Sequence, residues 1–96
     1  MEIEQRIYNG DRAREVLENE AFQWAFDELK TELTKSWETS PARDQEGREK
    51  LYQLLKLADK LKANLTTSLE TGRLARLDLD HKESLLSKAK RSIGIM

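Results

Sequence analysis

Pro41 is the only proline of the chain, and apolar residues recur at intervals of three and four on both sides of it. Before it, Phe22, Ala25, Phe26, Leu29, Leu33 and Trp37 form one stripe on a helix. After it, Leu51, Leu54, Leu55, Ala58, Leu61, Leu65 and Leu69 approximate a coiled-coil seam. The proline disfavours a helical conformation at Ser40. Asp44 then offers an N-cap, with Glu46 in the first turn of the next helix. Residues 39–44 therefore read as a short connection, and short connections place neighbouring helices antiparallel. The expected fold is all-α: an antiparallel helical hairpin of residues 20–38 and 44–71, with short N-terminal and C-terminal helices, in one domain spanning 1–96.

The short helices rest on weaker signals. Ile3 and Ile7 lie at helical spacing, but Asn9-Gly10 is a turn signal. Asp11 can follow it as the cap of a helix over 11–18 that carries Ala13, Val16 and Leu17. Asn19 either caps the second helix or bends a continuous one. Gly72 supplies a position that can close the leucine helix. Beyond it, Leu74, Leu77 and Leu79 make an apolar connector. Asp80, with Glu83 three residues on, resembles a capping-box start for a helix over 80–93 with Leu85, Leu86, Ala89 and Ile93 on one stripe. This tail is expected to dock on the hairpin or on a neighbouring molecule, because an isolated helix so short is marginal in water.

Only 38% of the residues are hydrophobic and 36% are charged, a low and a high share for a globular monomer. Ninety-six residues bury a limited fraction of their surface, so helix-mediated self-association, a homo-oligomer, is expected to complete the core. The net charge of −1 gives no global case for nucleic acid or an anionic membrane. The charge is uneven: residues 1–38 hold ten acids and five bases, and residues 71–96 hold three acids and six bases. That asymmetry can steer the acidic half of one subunit onto the basic tail of another, or bring the tail to phosphate. Cysteine is missing, which removes disulfides, thiolate nucleophiles and cysteine-based zinc sites. No signal-peptide core and no apolar run of membrane-spanning length is present. The reading is a soluble, cytoplasmic protein without a membrane partner.

Reactive groups do not assemble into a motif. His81 is the only histidine, and it neighbours the capping Asp80, which suits solvation better than metal binding. Adjacent carboxylates such as Asp27 and Glu28 are expected to face water, without the enclosed setting that acid–base work needs. A glycine-rich phosphate loop, a Ser-His-Asp constellation and a Walker sequence are all missing. The chain reads as no enzyme, with no cofactor and no metal. Lys56 and Lys60 share a helix face, but Asp59 intervenes and no aromatic is interleaved. Lys88, Lys90 and Arg91 are the candidate phosphate contacts of the tail, giving a minor nucleic-acid reading by backbone contact. Trp37 is expected in the core. Trp24, Tyr52 and Tyr8 fall off the stripes, as interface anchors do. Trp24 either anchors a partner or packs under the tail of its own subunit. Leu85, Leu86 and Ile93 complete the interface candidates.

The run from "RAREVLENEAFQWAFDELKTELTKSW" through "RDQEGREKLYQLLKLADKLKANL" to "TGRLA", roughly residues 12–75, resembles small helical proteins encoded in tailed phages and prophages. Arg43, Asp44, Gly47, Arg48 and Glu49 carry most of the likeness. The resemblance implies a setting among head and packaging genes and supplies no catalytic residues. With it, the leading expectation is a non-catalytic phage protein acting by helix-mediated protein–protein association, as a particle assembly or virion-associated component, in the host cytoplasm or the virion. One alternative is a phage protein that binds and inhibits a host enzyme or defence complex. A second is a nucleic-acid-associated packaging or regulatory factor.

Overall fold

The computed structural model describes residues 2–94, with the backbone alone for 92–94. Three helices follow in order: α1 (Ile3–Glu18), α2 (Glu20–Thr39) and α3 (Gln45–Gly94). No strand occurs among the described residues. The fold is all-α, as expected, but very elongated. Its extents are 81 × 25 × 15 Å, and its radius of gyration of 21.9 Å compares with about 12–13 Å for a compact chain of this length.

Local capping explains the two boundaries around α2. The Asn19 side chain accepts a hydrogen bond from the Phe22 backbone N–H at 2.9 Å, so Asn19 ends α1 and caps α2. At the far end, Arg48 reaches back from α3. Its guanidinium donates to the carbonyls of Trp37 and Ser40, each at 3.1 Å, and to the Ser40 hydroxyl at 2.8 Å. The Trp37 carbonyl also accepts from the Ser40 N–H and hydroxyl, so Arg48 joins a cluster of bonds on the carbonyls at the end of α2. The same guanidinium lies over the Trp37 ring, 4.6 Å from its centroid. Asp44 caps α3 by accepting from the Gly47 N–H at 3.0 Å. A Cβ at Gly47 would meet that carboxylate. Three of the residues that carry the phage resemblance thus build the α2–α3 connection.

Two glycines depart from the expected punctuation. No residue of the described chain, glycine included, has a positive φ. Asn9-Gly10 makes no turn, and α1 runs straight through it from Ile3. Gly72 does not close a helix either. Gly10 and Gly72 are where α1 and α3 touch. A Cβ on Gly10 would stand 2.8 Å from the Gly72 Cα and 3.0 Å from the Ser68 carbonyl oxygen. One on Gly72 would stand 2.8 Å from both the Gly10 Cα and the Arg6 carbonyl oxygen. Ala13 and Ala75 are buried beside this crossing, and Arg76 pairs with Asp11 at 3.0 Å. Small side chains let two backbones meet, and the glycines are spent on that approach.

The separate helix expected over 80–93 is part of α3, and Asp80 lies inside the helix instead of capping it. Arg73, Leu74, Ala75, Arg76 and Leu77 are good helix formers, so nothing stops propagation. Ion pairs Glu70–Arg73 and Asp78–Lys82 add spacing-matched support. At 50 residues, α3 is about 75 Å long. Residues 80–91 are exposed throughout, so the tail does not dock on its own chain.

The interior is thin. The buried hydrophobic residues among those described are Ala13, Phe26, Ala58 and Ala75. α2 meets α3 through Phe26 with Lys62 over its ring, through the Lys30–Asp59 ion pair, and through Trp37 with Arg48. Lys30 is half-buried in this contact. Trp37, expected in the core, is 37% exposed because Arg48 covers one face of the ring only. The accessible surface is 7765 Å². A compact monomer of this 11.2 kDa mass would show about 5,700 Å².

Candidate functional site

The most apolar feature of the surface is a groove between α2 and α3. Leu29 and Leu33 of α2 form one wall, and Leu54, Leu57, Ala58 and Leu61 of α3 form the other, with Lys60 and Asn64 at its edge. Its volume is about 560 Å³. The contact between the helices uses Phe26 with Lys62 and Lys30 with Asp59, and Leu51, Leu55 and Ala58 are less exposed than the outer leucines of α3. Leu57 is 62% exposed and Leu61 is 53% exposed. Exposed leucines gathered on one side of a helix pair are the usual mark of a surface meant to be covered.

The groove is lined by Leu29 and Leu33 of the stripe before Pro41 and by Leu54, Ala58 and Leu61 of the seam after it. Leu57 was outside that seam. Its signal was available: Leu54, Leu57 and Leu61 repeat at three and four beside the stripe of Leu51, Leu55 and Ala58. The α3 helix therefore carries two apolar faces here, and α2 covers one.

The aromatic candidates are not gathered into one site. Trp24 on α2 is 68% exposed. Tyr52 lies close to the α2–α3 connection, at the edge of a hollow shared with Trp37 and Arg48. The Lys56 ammonium stands 5.3 Å from the centroid of the Tyr52 ring. Tyr8 is on α1 with the Arg12 guanidinium over its ring, also at 5.3 Å. Leu85 and Leu86 are exposed on the projecting end of α3. The side chain of Ile93 lies outside the described residues. Lys88, Lys90 and Arg91 are exposed on the same end, and none has an acidic partner among the described residues.

Electrostatics tie the helices together at the groove's far side. The hydrogen bond from Lys30 holds the Asp59 carboxyl below the usual aspartate range, helped by the charges of Lys30, Lys56 and Lys62 and opposed by partial desolvation. The Arg73 guanidinium depresses Glu70 in the same way, first by hydrogen bonding. Among the described residues, no group of three or more His, Cys, Asp or Glu side chains is placed to hold a metal ion. No helix among them is long and apolar enough to cross a membrane. What the surface offers is apolar area, with charge at its rim.

No protein-family model, curated protein or solved structure matches the chain.

Proposed function

We propose that the chain is a non-catalytic phage protein that works by helix-mediated protein–protein association, as a component of particle assembly. In this reading α2 and the first half of α3 act as an antiparallel hairpin that presents the leucine groove to a partner helix. The observation that carries it is the open groove of Leu29, Leu33, Leu54, Leu57 and Leu61 on a chain with almost no interior of its own. An amphipathic helix laid into such a groove is a recurrent recognition mode. Exposed Trp24 and Tyr52, which lie apart from the groove, offer further anchoring positions. The phage setting rests on the resemblance across residues 12–75.

The test is recovery of the tagged chain from purified particles and from infected cells. Wild type should co-purify with particle proteins. Leu57→Asp should lose them while keeping its helicity, and Trp24→Ala should weaken the association by about 1 kcal/mol or more. Recovery on a host enzyme, with the particle free of the chain, would replace assembly with the host-directed alternative. Recovery of nucleic acid, lost steeply with salt and lost in a Lys88, Lys90 and Arg91 charge-reversal variant, would favour the packaging alternative.

A further inference from the structure

We infer that two copies of this chain pair antiparallel through the outer face of α3, the face turned away from α1. This contact leaves the leucine groove free and is independent of what the groove binds. Three observations carry it. The first is an uncovered apolar stripe. Successive residues turn by about 100° around a helix, so Leu74 and Leu77, each two places past Gly72 and Ala75, lie about 200° round from them. Gly72 is in backbone contact with α1, and Ala75 is buried. Leu74 and Leu77 are 54% and 55% exposed. Leu85 is 52% exposed and continues their stripe about three turns on from Leu74. At intervals of three and four the stripe reads Glu70, Leu74, Leu77, His81, Leu85 and Lys88.

The second is the order of that stripe, which mirrors itself about Leu79. Glu70 and Lys88 stand nine residues to either side, Leu77 and His81 two, and Leu74 and Leu85 five and six. A two-fold axis level with Leu79 therefore sets Glu70 opposite the partner's Lys88, Leu74 opposite the partner's Leu85 and Leu77 opposite the partner's His81. Lys88 has no acidic partner in its own chain among the described residues. Glu70 holds Arg73 on one side, and its side chain is still 54% exposed, so it can accept from a second cation. A parallel pair would instead set Glu70 on Glu70 and Lys88 on Lys88. Charge thus selects the antiparallel arrangement.

The third is access. The partner's helix lies across α3 from α1, so α1 does not stand in its way. The ring and ion-pair contacts of α2 with α3 fall at Arg48, Asp59 and Lys62, all before the stripe begins. The outer face is open from Glu70 to Lys88, a length of about 27 Å. The same surface serves both copies, and one rotation satisfies it, as a closed isologous dimer requires. The tail that projects uncovered from one copy is covered by the α3 of the other. One helix face of this length makes a small interface, so the dimer forms reversibly.

The chain lacks cysteine, so a Leu74→Cys, Leu85→Cys double variant reports the pairing directly. Within one chain these positions are about 17 Å apart along α3, beyond the reach of any disulfide. Both sites are exposed, so the fold should tolerate them. Sedimentation of the wild type from about 1 μM to about 1 mM should show the mass rise from one chain to two. Mild oxidation of the double variant should give a 74–85 disulfide between copies, identified by peptide mapping. Lys88→Glu should weaken the dimer about tenfold at low salt, and adding Glu70→Lys should restore it. Leu74→Asp should abolish the dimer with helicity kept by circular dichroism, and Leu57→Asp should leave it intact. Disulfides of the 74–74 or 85–85 kind would overturn the antiparallel order. A dimer lost with Leu57→Asp and kept with Leu74→Asp would place self-pairing in the groove and overturn the outer face. A chain that stays monomeric over the whole range, yet captures a particle protein through Leu57, would overturn the dimer and leave the groove's role standing.

Discussion

At Gly72 the physical demand is distance. Alanine is the better helix former by about 1 kcal/mol, so propensity alone makes Gly72→Ala stabilising. The new Cβ would stand 2.8 Å from two backbone atoms of α1, which cannot rotate away. Overpacking of this kind costs about 1–3 kcal/mol. We expect Gly72→Ala to lower the melting temperature by about 5 °C, read by thermal dichroism, while helicity in the folded state is kept. A higher melting temperature would mean that the two helices do not meet there. Asp59 tests the other inter-helix contact. Its carboxyl is held below the ordinary aspartate value of 3.8, so ionised Asp59 stabilises the fold above the unfolded-state pKa. That contribution fades as pH falls through the lower folded-state value. Asp59→Asn should therefore melt below wild type near neutral pH, and the two curves should converge in strong acid. A gap that persists at the acid end would assign the effect to packing instead of charge.

At the scale of the helices, much was legible in the sequence. Asn19 and Asp44 act on neighbours three residues away and Pro41 on the residue before it, and local rules capture such effects. Gly10 and Gly72 were read as punctuation because their reason is a partner 62 residues off. No local pattern reports that two glycines face each other. Periodicity likewise showed that α3 has more leucines than one partner needs, but it could not say which of them α2 would cover. That distinction gives a paired test. Leu55 is half-buried against α2, and Leu61 lines the open groove. Leu55→Asp should cost about 2–3 kcal/mol of the chain's own stability, measured by urea unfolding at low concentration. Leu61→Asp should cost less than about 0.5 kcal/mol there, yet abolish association. If both variants unfold alike, the groove is part of the core.

At the scale of the molecule, α3 poses the problem that the proposed association would solve. Residues 80–91 of α3 are exposed throughout. They remain attached to a long helix, so nucleation is already done, but each added turn must stand on propensity and on pairs such as Asp78–Lys82. Such a segment frays. The hydrophobic face it carries is stable in water only when something covers it. Amide hydrogen exchange separates the two conditions. In dilute protein, residues 82–91 should exchange within about a hundredfold of the free-peptide rate, while amides around Gly72 stay protected near the global limit. If the proposed association is between copies of this chain, protection should appear as concentration rises into the micromolar range, in residues 82–91, at the α2–α3 groove or in both. Protection of the tail that does not change with concentration would show the helix to be stable unaided. Protection of the tail without the groove would place its partner elsewhere.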